Sequence, residues 1–501
     1  MDEFGQITAK RKVNPSQWYD HFRNSFISPK IQSISDPPVS GLRIPGRIKQ
    51  AWIFLSRDLK SKISNKQYLL INFLEAPVLA FLLSFIIKYL NTAKGTAYAL
   101  RFNENLPAFF LMAVIVALFM GLTVSAEEII RDRKILKRES FLNLSRNSYL
   151  SSKVLLLFGL SAIQTLTFVL IGNYILEIKE MNLAMWAVLF SASCFANVLG
   201  LNISDSFNSA VTVYILIPLL LIPQMVLSGV LFSFDKLNPY LSSKGKVPVI
   251  ADLMVSRWSY EALAVYQYKE NPYMTPFYEY EKAKADADYN ARWLSDELRE
   301  RVEVLDKYLD APSEQARQRA SESLQVINRW LGDLEFGGKP KLSDDLSDLS
   351  RLNLEQLDVF LTTYENRYQD EYNKASALLE KKMDFIRRKY RTDLLSEQNT
   401  FFNQSMADLV RNVKTPEPVT QSGDKLIRQA NPIFMDHQPS GLLDYRAPFY
   451  VPFKSWLGIQ FSTLQFNLLA IWLLSATMYF SLYFRWFHKV IAFFGRPVPQ
   501  D

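Results

Sequence analysis

The chain has 501 residues, 49% hydrophobic, 14% aromatic and 21% charged, with a net charge of +7. Its mean hydropathy of −0.02 hides a segregated sequence, because several stretches of about twenty residues are nearly free of charge while one stretch of roughly 180 residues is dense in it, which excludes a plain globular enzyme and a disordered chain. A single cysteine, Cys194, excludes a disulfide framework or cysteine-ligated cluster, and His21, His437 and His488 are too scattered for a metal site, so no metal is expected.

Residues 1–46 are polar, with prolines at Pro15, Pro29, Pro37, Pro38 and Pro45, and read as a cytoplasmic N-terminal segment without a signal peptide. Over residues 47–68, Ile48, Trp52, Leu55, Leu59 and Ile63 are spaced four, three, four and four. That is one apolar helical face, ringed by Arg47, Lys49, Arg57, Lys60 and Lys62. The pattern predicts an amphipathic connecting helix in the membrane interface. It is either a simple anchor or a lever between a cytoplasmic partner and the first span.

A helix crossing a hydrocarbon core of ~30 Å needs about 20 apolar residues. Six segments qualify: 69–90, 107–126, 154–176, 183–203, 210–234 and 457–484. Each must be helical to satisfy its own backbone in lipid. Basic residues before the first span (Lys10, Arg11, Lys12, Arg57, Lys60, Lys62), between spans two and three (Arg131, Arg133, Lys134, Lys137, Arg138, Arg146) and in the 485–501 tail (Arg485, Lys489, Arg496) outnumber Lys94, Arg101 and Lys179 on the other side. Both termini are therefore expected in the cytoplasm, with 235–455 external. Positive charge on that side suits topology and anionic headgroups, and no nucleic acid is expected. Glu75 and Lys88 lie near the ends of the first span, so no proton relay is expected.

Residues 127–153 read EEIIRDRKILKRESFLNLSRNSYLSSK. Ile129, Ile130, Ile135 and Leu136 alternate with charges of both signs, which fits either a helical hairpin that docks a soluble partner or a solvated loop. In the external part, about 278–411 has the composition of helices, is acidic, and steps three and four through Leu354, Leu357, Leu361, Tyr364 and Tyr368. Ala375, Leu379, Ile386 and Tyr390 roughly continue the pattern. With breaks at Pro312 and Gly337–Gly338, this predicts two shorter helices and a long one, packed antiparallel as a coiled coil. Residues 415–452 read as a proline-rich loop returning to the sixth span. The sequence contains no GxxxxGK[ST] phosphate loop, GxGxxG run, HExxH helix or GxSxG elbow, and no catalytic residue is assigned. The expected fold class is an all-α membrane protein: six transmembrane helices, an amphipathic N-terminal connecting helix, and a helical coiled-coil insert between spans five and six.

These features resemble the membrane half of G-subfamily ABC exporters, the White or pigment-transporter-like group. That family's coupling hairpin has a pattern like ERxVFxRE followed by a Tyr and a Lys. Asp132, Arg133, Ile135, Leu136, Arg138 and Glu139 fall on it, followed by Tyr149 and Lys153, with a Glu-to-Tyr spacing about one residue short. Pro218, Pro223 and the LSGVLF run at 227–232 are similar to the family's end of span five. SRWSYEAL at 256–263, beginning Ser256, Arg257, Trp258 and continuing through Tyr260 and Glu261, resembles its external segment ending in Glu-Ala-Leu. The resemblance covers roughly 48–271 and the sixth span. The family's external loop is much shorter, and its ATPase domain normally precedes the connecting helix.

The resemblance implies a permease subunit of an ATP-driven exporter, and the absence of cysteines outside together with the helical insert suits a bacterial inner membrane. The permease would move an amphipathic or lipid-like cargo by alternating access. Two copies, identical or not, would pair with spans two and five around a central cavity. Met120, Ile222 and Met225 would line it, and Val230 and Leu231 would close it outward. Asp132, Arg133, Arg138 and Glu139 would transmit movement from an ABC ATPase domain. ATP and magnesium would be held by that partner, with no cofactor in this chain. Residues 1–46 would be the tail of a fused ATPase domain, or the ATPase would be a separate polypeptide. The alternative is a non-transporting membrane scaffold whose external coiled coil recruits an envelope partner. An exporter of polysaccharide or lipid carriers fits less well, since SRWSYEAL is not expected there. An enzyme with its site in the insert ranks last.

Overall fold

Residues 13–26, 45–90, 97–139, 144–238, 240–241, 245–310, 313–391, 393–436, 439, 441–442 and 444–494 are described by the structure, a computed structural model. The readings placed on Lys10, Arg11, Lys12, Pro29, Pro37, Pro38, Lys94, Pro312, His437 and Arg496 lie outside the described residues. The chain divides into two units, residues 1–46 and 47–501. In the first, α1 (Pro15–Ser25) opens on a proline, and the Asn14 N–H donates to Gln17 Oε1 at 3.1 Å. Its Trp18, Tyr19 and Phe22 are exposed.

The second unit begins with α2 (Arg47–Ser64), followed at once by α3 (Lys66–Ile87). The connecting helix expected over 47–68 stops at Ser64, because the Asn65 side chain accepts the Tyr68 N–H at 3.1 Å and caps the next helix. Then come α4 (Leu106–Ser125), α5 (Glu128–Arg138), α6 (Arg146–Leu176), α7 (Asn182–Ser206) and α8 (Ala210–Val226). α4 and α7 pack along small residues: a Cβ on Gly121 would stand 2.5 Å from the Ser193 carbonyl and 2.7 Å from Ala196 Cβ. α3 meets α6 through a stripe of Asn72, Ala76, Ala80 and Ser84, and exposes its large apolar side chains elsewhere.

After α8 the chain turns through Gly229, at φ +79°, where a Cβ would lie 2.6 Å from the Phe234 ring. Two short helices, α9 (Val249–Asp252) and α10 (Val255–Lys269), follow. The insert comprises α11 (Tyr278–Asp288), a π-helical turn (Tyr289–Leu294), α12 (Ser295–Asp310), α13 (Glu314–Asp333) and the 40-residue α14 (Arg351–Tyr390). Leu298, Leu305, Leu324, Ile327, Leu357 and Leu361 form a core separate from that of the membrane helices. The chain returns through α15 (Leu394–Phe401), α16 (Gln404–Val410) and two antiparallel hairpins, β1 (Val419–Ser422) with β2 (Lys425–Arg428) and β3 (Phe453–Trp456) with β4 (Ile459–Ser462). It ends in α17 (Thr463–Phe484) and α18 (Trp486–Phe494).

Among the described residues, five helical segments are long and apolar enough to cross a membrane: Lys66–Ile87, Leu106–Arg138, Arg146–Leu176, Asn182–Ser206 and Thr463–Phe484. The protein is an all-α membrane protein, and among the described residues its strands are confined to the two hairpins. Two expected boundaries move. The segment expected to cross over 210–234 is helical only to Val226, since Pro223 lacks a donor and the turn at Gly229 follows. The sixth expected span starts at Thr463 instead of residue 457. Leu457 and Gly458 both take positive φ in the β3–β4 turn, and Ser462 caps α17 by exchanging hydrogen bonds with Gln465, each 3.3 Å. The loop expected over 415–452 contains the β1–β2 hairpin.

Candidate functional site

The residues of α2 that face the protein are not the apolar ones picked out by periodicity. Ile48, Trp52, Leu59 and Ile63 are exposed, while Gln50, Phe54 and Lys62 are buried and Asp58 lies on the same stripe, each four residues from the last. This stripe meets α6 and reaches α5 through its charges. Lys153 Nζ lies 2.8 Å from Asp58 Oδ2 on α2, 2.9 Å from Glu128 Oε2 and 2.8 Å from Asp132 Oδ2 on α5. Glu128 also receives Lys62 at 2.5 Å and Arg131 at 2.9 Å. The Tyr149 hydroxyl donates to Asp132 at 3.1 Å. Three carboxylates thus face three cations, and every carboxylate has a cation within bonding distance. Buried charge is tolerable only when paired in this way.

The other side of α5 is fixed to α7. Its first N–H groups, on Ile129 and Ile130, donate to Ser204 Oγ at 3.0 and 3.1 Å. Arg133 donates to the Ser204 and Asp205 carbonyls at 3.1 and 2.8 Å and to Asn208. A cation at the carbonyl end of α7 also suits the helix dipole. Arg57 on α2 bonds Glu139 at 3.2 Å. Arg146 joins Asp205 to the Leu482 carbonyl on α17, each at 3.1 Å. A cleft of about 330 Å³ opens here, lined by Phe54, Leu136, Glu139, Tyr149 and Asp205 among others. α5 is therefore held by α2, α6 and α7 at once.

Of the four expected coupling residues, Asp132, Arg133 and Glu139 are engaged, each with a different helix and none with another of the four. Arg138 is exposed and has no ion pair among the described residues. Asp58, Lys62 and Glu128 complete the junction although the family pattern does not include them, and Lys153, a position of that pattern, is its hub. The available signal was the polar i, i+4 stripe of α2 opposite the apolar one.

The expected pathway residues do not share a face. Met120 is 1% exposed and sits in the core. The accessible stripe of α4 runs through Met112, Val116, Phe119 and Thr123, at intervals of four, three and four. Met120 lies one residue, about 100°, away from it. On α8, which packs on α4, only Val213, Ile217 and Gln224 are buried. Ile222 is 57% and Leu231 52% exposed, and Met225 and Val230 are half-buried.

Ser256, Arg257, Trp258, Tyr260 and Glu261 do come together, all buried on α10. Ser256 donates from its N–H to Gln224 Oε1 at 3.0 Å and from its hydroxyl to the Gln224 carbonyl at 2.5 Å, which ties α10 to the end of α8. Glu261 accepts from Lys454 Nζ at 2.5 Å, from Asn467 Nδ2 at 2.9 Å and from the Tyr450 N–H at 3.2 Å. Arg257 stacks on Trp258, 3.7 Å above the ring, and lies 3.6 Å from Glu261. Burial alone would raise the Glu261 carboxyl, but Lys454, Arg257 and these hydrogen bonds hold it below its ordinary value. Burial pulls Lys454 down to about 7 against the attraction of Glu261, and Arg257 adds to the fall. The cluster is a structural clasp joining α10, β3 and α17.

Among the described residues, no group of three or more His, Cys, Asp or Glu side chains is placed to hold a metal. The architecture is that of an integral membrane protein with a junction of charged helices at one end of its apolar segments. Residues 49–268, less than half of the chain, match the family described as ABC-2 type transporter. The match covers α2 to α10 almost completely. It supports an ABC-2 permease, a class that in general works with an ABC ATPase. No curated protein matches the chain significantly.

Proposed function

We propose that the chain is the permease subunit of an ATP-driven ABC exporter of the G-subfamily type. It moves an amphipathic or lipid-like cargo by alternating access, and an ABC ATPase domain outside this sequence drives it. Both termini lie in the cytoplasm, the insert is external, and the membrane is a bacterial inner membrane. Two copies pair through α4 and α8. The observation that carries this reading is the junction around Lys153. A soluble ATPase pressing on α5 displaces an element bonded to α2, α6 and α7, so a push at the surface moves several membrane helices together. Ion pairs suit this task because they are strong, directional and buried.

The exposed stripe of α4 and the nearly unpacked α8 support a cavity shared with a second copy. Phe119, Met112 and Ile222 would line it, in place of Met120. An apolar wall with methionine suits flexible amphipathic cargo. α8 has 17 residues, about 25 Å of helix, and runs from beside Asn208, which bonds Arg133, to Gln224, which bonds Ser256. That placement supports its crossing as the fifth of six spans.

Affinity purification of the tagged chain from its native host tests the reading. An ABC ATPase is expected to co-purify in near-equal amount. Lys153→Met is expected to lower that yield or its ATP hydrolysis at least about tenfold, as loss of a buried charge of ~3–5 kcal/mol would. Arg138→Ala, on the exposed face, is expected to act through ATPase contact alone. Recovery of a monodisperse permease with no ATPase would contradict the proposal.

A further inference from the structure

The last turns of α14 carry chemistry that neither the insert's core nor the transport reading uses. α14 runs antiparallel to α11: the Tyr364 hydroxyl bonds Asn290 at 2.8 Å, and Lys284 lies 5.5 Å from the Tyr372 ring. At 1.5 Å per residue, Tyr278 then lies level with about residue 378, and roughly twelve residues, ~18 Å of helix, project beyond it. Burial agrees, since Ala375 and Leu379 are the last buried side chains on α14.

The projection points toward the membrane. Tyr278 belongs to the core of the membrane helices, and its hydroxyl donates to the Ile433 carbonyl at 2.6 Å. The insert's own core lies at the other end of α11. Just past α14, α15 packs on residues 100–102, in the connection between α3 and α4, and Asn403 donates to the Leu100 and Asn103 carbonyls at 2.7 and 2.8 Å. That connection joins two apolar helices and so lies at the membrane surface.

Lys381, Lys382, Arg387, Arg388, Lys389 and Arg391 crowd this tip, against Glu380 and Asp384. One ion pair, Arg387 with Asp384 at 3.1 Å, is formed among them. Leu378, Phe385 and Tyr390 are exposed between the cations, Phe385 to 52%. A basic helix end with exposed aromatic and aliphatic side chains has the composition of an interfacial anchor. We propose that residues 378–391 bind the anionic phospholipid headgroups of the membrane that this chain's own helices cross. The contact props the insert on the bilayer, with Phe385 entering the headgroup layer and the cations pairing with phosphates.

The test uses the full-length protein in vesicles, with Phe385→Cys carrying an NBD fluorophore, the native Cys194 being buried. Leu352→Cys, at the far end of α14, is the control. In an equal mixture of phosphatidylglycerol and phosphatidylcholine, the label at 385 is expected to shift to the blue. Headgroup-level nitroxide lipid should quench it several-fold more than the label at 352. The effect should weaken in phosphatidylcholine alone, in high salt, and in the Lys381→Glu, Arg388→Glu, Lys389→Glu variant. Equal quenching at 352 and 385 would overturn the proposal. So would shielding at 385 that is unchanged by lipid charge and by the triple variant, since that would mark a protein contact.

Discussion

Lys153 and Lys454 are both buried lysines facing carboxylates, yet their settings differ. Lys153 faces three acids and is the hub between helices, whereas Lys454 shares Glu261 with Arg257. Replacing Lys454 with Met leaves Glu261 buried with a weaker partner and is expected to cost about 3–5 kcal/mol. The double change with Glu261→Gln is expected to recover much of that loss, read from thermal unfolding in detergent. The sign of the pH dependence follows from Lys454 lying at about 7 when folded, below the ordinary 10.5. Between those values the unfolded chain binds more protons, so this lysine's contribution to stability rises with pH. Wild type should therefore gain stability from pH 7 to 9 relative to Lys454→Met, and parallel curves would contradict the assignment. On α4, a cysteine at Phe119 is expected to react with a membrane-permeant maleimide at least about tenfold faster than one at Met120, because only the former lies on the open stripe. Equal rates would place the stripe wrongly.

At the scale of elements, the long apolar helices were legible because length and absence of charge are properties of a contiguous string. Their ends were less so. Asn65 and Ser462 cap helices by local hydrogen bonds, and a hydropathy window passes over both. α2 shows the deeper limit. Its apolar face was easy to read and turned out to be the outward one, while the stripe through Gln50, Phe54, Asp58 and Lys62 bonds to partners about 60 to 95 residues away in the chain. No local periodicity reports such partners. The same holds for Glu261, whose string was recognisable but whose partners, Lys454 and Asn467, lie about 200 residues on. The close contact of α4 with α7 gives an element-scale prediction. Gly121→Val places two methyl groups where Ser193 and Ala196 already stand, and is expected to destabilise by about 1–3 kcal/mol, read as a lower unfolding temperature. Gly159→Val on α6, with nothing within 4 Å, is expected to be nearly silent.

Among the described residues, the buried charge falls in two clusters, one at the junction of α2, α5 and α6, the other joining α10, β3 and α17. Helices α7, α8 and α17 connect the two levels: α7 ends at Arg133, α8 ends at Ser256, and α17 runs from Asn467 beside Glu261 to Leu482 beside Arg146. Movement imposed on α5 therefore has rigid paths to the clasp on the insert side. The central claim is that ATP hydrolysis elsewhere is coupled to this chain through that junction. The most direct measurement is ATP hydrolysis by the co-purified complex in proteoliposomes, compared between wild type and Lys153→Met with equal ATPase bound. The account predicts that the wild-type permease changes the ATPase rate severalfold over the free ATPase and that the variant abolishes the change. An ATPase rate indifferent to the permease, or equally responsive with Lys153→Met, would contradict it.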